Sequence, residues 1–201
     1  MHAKTLVELG DAPLINSSVC LKNLSEGELD LVYDLFRDEE TAQKVLLRQA
    51  LQNEADAAQA LQGLLARQTY VICLSGDADP IGIIGLQSAH PKNPESVSFF
   101  AAIKPAHRRR GYCTSAMKLL FARVFGSSDK EEIGAWVNLE FFEELQPVYE
   151  YWGFRPTLTY TLMQLLDDSD GPAMGYLVLD KEEFEQSFPR GRARSAEISG
   201  Q

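Results

Sequence analysis

Cysteine is scarce in this chain: Cys20, Cys73 and Cys113 are the only three in 201 residues, and they are widely scattered. An odd set without C-x-x-C spacing excludes a disulfide framework and a thiolate metal site, and it predicts free thiols in a reducing compartment. His2, His90 and His107 likewise lack metal-ligand spacing, so no metal is expected. No apolar run reaches the ~18 residues of a membrane span, and residues 1–14 have neither signal-peptide nor transit-peptide character. A cytoplasmic location follows as the expectation. Basic residues are few, 19 Lys+Arg against 29 Asp+Glu, for a net charge of −10. Such a surface repels phosphate backbones and anionic lipid faces, which argues against nucleic-acid or membrane partners and favours a cationic one. Neither a phosphate-binding G-x-x-x-x-G-K-[ST] loop nor a G-x-S-x-G nucleophile elbow is present.

At this length a single domain is the leading reading. Residues 19–24 alternate as a strand, and Ser25 with Glu28 forms a capping box that opens a helix to about residue 37. Residues 38–68, rich in Ala, Leu, Gln and Glu, read as one long helix or two abutting ones. A β-hairpin follows, with strands at 69–74 and 81–86, then a turn at 91–94 and a strand at 97–103. A helix over 114–125 places Met117, Leu120, Phe121 and Val124 on one face. A strand at 133–137, a helix at 142–152, strands at 157–163 and 176–179, and a short helix at 181–188 complete the order. The polar residues from Arg190 onward hold three of the arginines and read as a disordered tail. This order predicts an α/β domain over 1–188 with a mixed, mostly antiparallel sheet, and a tail at 189–201.

The most informative segment carries three consecutive arginines, Arg108, Arg109 and Arg110, then Gly111, at the junction of a strand and a helix. Unpaired amides and the positive dipole end at a helix start attract anions. A glycine lets backbone approach a ligand, and arginines add charge where a diphosphate would sit. In an otherwise acidic chain this is a concentrated basic turn. By itself the pattern equally describes a solvated basic loop.

Arg108-Arg109-Arg110-Gly111-Tyr112-Cys113 resembles the Gln/Arg-x-x-Gly-x-Gly/Ala signature of the GNAT superfamily of acyl-CoA-dependent N-acetyltransferases. The run Arg110 to Ala116 is similar to the Arg-Gly-Tyr-Ala-Thr-Glu-Ala of its branch that acetylates ribosomal protein N-termini. Tyr149-Glu150-Tyr151-Trp152-Gly153-Phe154 resembles the second family signature, Tyr-x-x-x-Gly-Phe. Cys113 stands where Gly or Ala is usual, and Phe142 and Leu145 stand where the ribosomal branch has Asn and Ser. The resemblance spans roughly residues 19–188 and implies the GNAT fold, a six- to seven-stranded sheet flanked by helices, with acetyl-CoA as cosubstrate. It implies that Arg108, Arg109, Arg110, Gly111, Tyr112, Cys113 and Thr114 hold the CoA diphosphate. By the same resemblance, Ala101, Ala102 and Ile103 pair with the pantetheine and acetyl group, and Asn138 contacts the pantetheine arm. Homodimers are common in such relatives, and the sequence leaves this open.

The implied reaction is direct attack of a primary amine, of a small molecule or a peptide N-terminus, on the thioester. Tyr149 is the expected acid at the departing thiolate. Glu95, on the strand before the basic loop, is a candidate base acting through water. Glu143 and Glu144 are candidates for attracting the substrate ammonium, and His107 reads as a solvent-facing loop residue. Phe99, Phe100, Trp136, Phe141 and Phe142 offer an aromatic lining for a bulky acceptor, against their ordinary reading as core. The alternative from another class is a non-catalytic acyl-CoA-binding regulatory module, which needs the loop but not Tyr149.

Overall fold

The computed structural model describes residues 14–16, 18–46, 50–76, 79–90, 93–157 and 174–188. Among the described residues eight strands form one sheet: β1 (Leu14–Ile15), β2 (Val19–Asn23), β3 (Gln68–Leu74), β4 (Pro80–His90), β5 (Asn93–Ile103), β6 (Glu132–Asn138), β7 (Arg155–Pro156) and β8 (Met174–Asp180). Their order is β1-β2-β3-β4-β5-β6-β8-β7. Every adjacent pair is antiparallel except β5 and β6, which run parallel. The helices are α1 (Leu29–Phe36), α2 (Glu39–Thr41), α3 (Glu54–Leu65), α4 (Tyr112–Ser127), α5 (Phe142–Tyr151) and α6 (Lys181–Ser187).

The sheet separates two apolar layers. On one face α4 buries Ala116, Met117, Leu120, Phe121, Val124 and Phe125, its predicted apolar face, against β-strand residues that include Ile84, Phe99, Ala135 and Leu179. On the other, α1 and α3 bury Leu31, Val32, Leu35, Leu61 and Leu64 against Val71, Cys73, Ile83, Phe100 and Ala102. Each Leu, Val or Phe so removed from water contributes roughly 1.5–3 kcal/mol. Because strand side chains alternate between faces, consecutive Phe99 and Phe100 serve opposite layers.

The start of α1 follows the anticipated box: the Glu28 carboxylate accepts from the Ser25 amide at 3.0 Å. Of the one long helix or two abutting ones expected over 38–68, the structure has two separate helical stretches. Asp38 caps α2 through the Thr41 amide, and the chain then widens into a π-helical turn at 42–46. A new helix starts where the Asn53 side chain accepts from the Asp56 amide at 3.0 Å. Favourable propensity along the run did not override the Asn53 cap, which starts a helix afresh. The strand expected at 157–163 lies outside the described residues apart from Thr157, as does the tail at 189–201. β1 and β7, two residues each, carry too little pattern for a sequence reading to find. Among the described residues no helix is long and apolar enough to cross a membrane.

Candidate active site

The site begins with a defect in the sheet. β5 and β6 are paired only at Ser98↔Gly134 and Phe99↔Ala135. Beyond these two pairs the C-terminal end of β5 continues without β6 and borders a cavity of about 560 Å³. Ala101, Ala102 and Ile103 line it. On its other side β5 remains held by β4, through Gly82↔Ile103, Ile83↔Ala102 and Ile84↔Ala101.

β5 leads through a 3-10 turn (Pro105–His107) into the arginine loop. Arg109 adopts φ 60 and Gly111 φ 78, both left-handed, so the chain reverses sharply before α4. A Cβ on Gly111 would meet nothing within 4 Å, so glycine is needed there for backbone conformation and not for space. Among the described residues no acceptor pairs with the amides of 109–114. That row of donors, at the N-terminus of a 16-residue helix, is suited to an anionic diphosphate. Arg109 and Cys113 line the cavity, whereas Arg110 and Gly111 are exposed on the loop and Tyr112 and Thr114 are half-buried.

α5 and its C-cap residue Trp152 supply the opposite wall, the helix contributing Glu144, Leu145, Val148 and Tyr149. The Tyr149 ring packs against Phe99, Trp152 and Phe154, at centroid distances of 6.1, 5.6 and 5.4 Å. Burial, and next the neighbouring Cys113, push the Tyr149 hydroxyl well above its ordinary value. It is therefore a neutral donor at physiological pH. Burial likewise pushes the Cys113 thiol up to about 12, which leaves it protonated and unsuited to nucleophilic attack. Trp152 Nε1 donates to Thr114 Oγ1 at 3.1 Å, so the end of α5 and the start of α4, the two signature segments, are tied directly together.

A third wall was not legible in the sequence. Glu40, Thr41, Lys44 and Val45, from α2 and the π turn, line the cavity; a single π turn is a frequent mark of a functional site. Lys44 Nζ donates to Glu40 Oε1 at 2.9 Å and to Glu144 Oε2 at 2.7 Å, and lies 5.0 Å from the Phe141 ring centroid. Burial lowers the Lys44 pKa, but hydrogen bonds to Glu144 and Glu40 outweigh it, and the net shift is upward. Glu144 thus shares the Lys44 cation with Glu40, and the three groups together keep one net negative charge at the cavity wall, while Glu143 is exposed and outside the cavity lining.

Arg108 also lines the cavity, with its guanidinium engaged by protein groups. Its Nε donates to Ile103 O at 3.1 Å and its Nη2 to Asp38 Oδ2 at 2.8 Å and to Thr41 Oγ1, while Nη1 reaches Glu40 Oε2 at 3.5 Å. The side chain clamps the α2 wall to the arginine loop. The Thr41 hydroxyl first, and Arg108 second, hold the Asp38 carboxyl below its usual value. A depressed folded-state pKa contributes stability that is present above the unfolded value of ~3.9 and lost as pH falls through the folded one. Arg108→Ala is expected to lower stability by about 1–2 kcal/mol, since the groups are partly exposed, or roughly 2–8 °C in Tm, with a weaker loss on acidification. Calorimetry across pH checks this.

Asn138 is buried and caps the following 3-10 turn, its Oδ1 accepting from the Glu140 amide at 3.0 Å, and it does not line the cavity. Glu95 stands in β5, but its side chain lies outside the described part of the chain. His107 is half-buried rather than solvent-facing, with a buried Nδ1. Of the five aromatics considered as a lining, only Phe99 lines the cavity, while Phe100 serves the second core and Trp136 stacks on Tyr176. Among the described residues no group of three or more His, Cys, Asp or Glu side chains is placed to hold a metal.

A sheet parted at its one parallel pair, with a glycine-turned helix start facing the gap, defines an acetyltransferase fold of the GNAT type. The sequence model described as "Acetyltransferase (GNAT) domain" matches residues 18–141, and the chain belongs to that family. No curated protein matches it. Among solved structures it is similar to a probable GNAT-family acetyltransferase from Chromobacterium violaceum, with TM-score 0.72, 14% identity and 92% of each chain covered. It is also similar to the spermidine N-acetyltransferase from Vibrio cholerae in complex with CoA and spermine, with TM-score 0.63, 16% identity, and 84% of this chain and 99% of that one covered. An acetyltransferase from Bacillus anthracis gives TM-score 0.68 at 12% identity, covering 85% of this chain and 99% of the other. GNAT acetyltransferases use acetyl-CoA, and this chain carries the enzyme domain of that class.

Proposed function

We propose that the protein is an acetyl-CoA-dependent N-acetyltransferase acting on a primary amine in the cytoplasm, with residues 1–188 as its single domain. One observation carries this reading: the free end of β5, the loop donors and the neutral Tyr149 hydroxyl border one cavity. Acetyl-CoA supplies the activated thioester. The amides of 109–114, with Arg109, hold its diphosphate, and the backbone of Ala101 to Ile103 orients the arm and acetyl group. A β5 amide donates to the thioester oxygen as charge develops there, and Tyr149 donates to the departing sulfur.

The acceptor must be neutral to attack. An alkyl ammonium of pKa ~10.4 is deprotonated in only about one molecule in ~2,500 at pH 7, equivalent to ~4.6 kcal/mol. A base or proton path therefore accelerates the reaction, and Glu95, working through water, is our candidate. The acceptor itself is a cationic amine, either a small molecule or a peptide or protein N-terminus.

The test incubates purified protein with acetyl-CoA and a panel of polyamines, amino compounds and peptides with free N-termini, following thiol release. Turnover on at least one amine is expected. CoA at ~100 times its Kd should also stabilise the fold by about 2.7 kcal/mol, raising Tm by roughly 5–10 °C. Stabilisation with no turnover on any amine would instead identify an acyl-CoA-binding regulatory module.

A further inference from the structure

Cys20 in β2 and Cys73 in β3 are direct cross-strand partners. On the same two strands Ser75 donates to Ser18 O at 3.1 Å and Leu24 to Thr69 O at 3.0 Å. Cys20 and Cys73 are an even number of residues from each of these pairs, so they too occupy a hydrogen-bonded position. Cα atoms in such a pair lie ~5.5 Å apart, within the Cα span of a disulfide, and the Cβ atoms, about 5 Å apart, close by roughly 1 Å when the bond forms. Partners in register project to the same face, and both cysteines do so, against the layer formed by α1 and α3. Cys73 is buried and Cys20 half-buried. Burial pushes the Cys73 thiol up, Lys22 pulls it down, and the adjacent Cys20 thiol pushes it up again, for a net rise. The more accessible Cys20 therefore meets an oxidant first, with a protonated thiol beside it.

We propose that Cys20 and Cys73 are an oxidative modification site, a dithiol that closes to an intrachain disulfide on exposure to peroxide. The Cys20 sulfur attacks one peroxide oxygen, the O–O bond breaks, and Cys20 sulfenic acid and water result. The Cys73 sulfur then attacks the Cys20 sulfur. The S–S bond forms, the S–O bond breaks, and the Cys73 proton leaves with the hydroxyl as a second water. Two thiols are oxidised and one peroxide is reduced. A dithiol reductant reverses the change. This pair lies outside the cavity lining, so the inference is independent of the proposed activity.

Native protein is treated with hydrogen peroxide, denatured, alkylated with iodoacetamide and digested for mass spectrometry. Two of the three thiols should disappear together. Peptides containing Cys20 and Cys73 should be linked, at a rate independent of protein concentration, while Cys113 stays alkylatable. In Cys73→Ser, Cys20 should accumulate as a sulfenic acid trapped by dimedone. Cys20 sulfinic acid with Cys73 still alkylatable in the unmutated protein, or Cys20 linked between chains, would overturn the proposal, and this readout does not depend on how the variant folds.

Discussion

Tyr149→Phe is expected to lower kcat for acetyl transfer by on the order of 10²-fold while leaving KM for acetyl-CoA within about twofold. The substitution keeps the ring that packs against Phe99, Trp152 and Phe154, so thermal stability should hardly change and the effect isolates the hydroxyl. Proton transfer from an ordinary tyrosine at ~10 to a thiolate near ~8.5 is uphill by ~2 kcal/mol, and burial raises Tyr149 further. In the proposed mechanism the hydroxyl therefore acts by hydrogen bonding to the sulfur as charge builds, with full transfer at most late in bond cleavage. Because its pKa is raised, Tyr149 stays protonated on the alkaline side, and any loss of kcat/KM below pH ~10 must come from another group. Turnover unchanged in Tyr149→Phe would remove this residue from the mechanism.

The second large effect falls on the fold. Gly82 in β4 lies opposite Ile103, and a Cβ there would sit 2.2 Å from the Ala102 carbonyl oxygen and 3.1 Å from the Ile103 Cα. Both obstacles are backbone, so neither can swing aside as a side chain can. Gly82→Ala is expected to cost about 3 kcal/mol, at the upper end of ordinary overpacking, and to lower Tm by roughly 6–12 °C. The strand it displaces is the one whose end borders the cavity, so KM for acetyl-CoA should rise in parallel. Gly134 is a contrast: its Cβ would meet the Tyr176 side chain at 2.0 Å, which a rotation of that ring can partly relieve. Differential scanning calorimetry of the two alanine variants separates these cases.

How far the chain could be read beforehand depended on where each signal resides. The α4 face, the Ser25 box and the β3 to β5 strands are local patterns, and each appears in the structure. The arginine loop and Tyr149 are motif positions, and Arg109, Cys113 and Tyr149 meet at one cavity. What escaped is tertiary. Lys44 lies in a helix-favouring run, and nothing in that run indicates a partner at Glu144, 100 residues away. Arg108 heads a signature associated with a cofactor, yet its fork is taken by Asp38 and Thr41, 70 and 67 residues upstream. The Asn53 cap with Asp56 was legible in principle, as a polar residue before an acidic first turn, but Ala and Leu on both sides concealed it.

The parted sheet also bears on how the folded chain holds together. Five strands lie to one side of the β5/β6 junction and three to the other, and that junction is two residue pairs long. The halves are therefore joined by α4 and the aromatic cluster spanning them as well as by this short pairing. A ligand lying along the free edge of β5 would act as mortar in this seam, satisfying main-chain groups that no neighbouring strand reaches. Cosubstrate would then be a component of the architecture as well as a reactant, and each product release would briefly reopen a joint in the molecule.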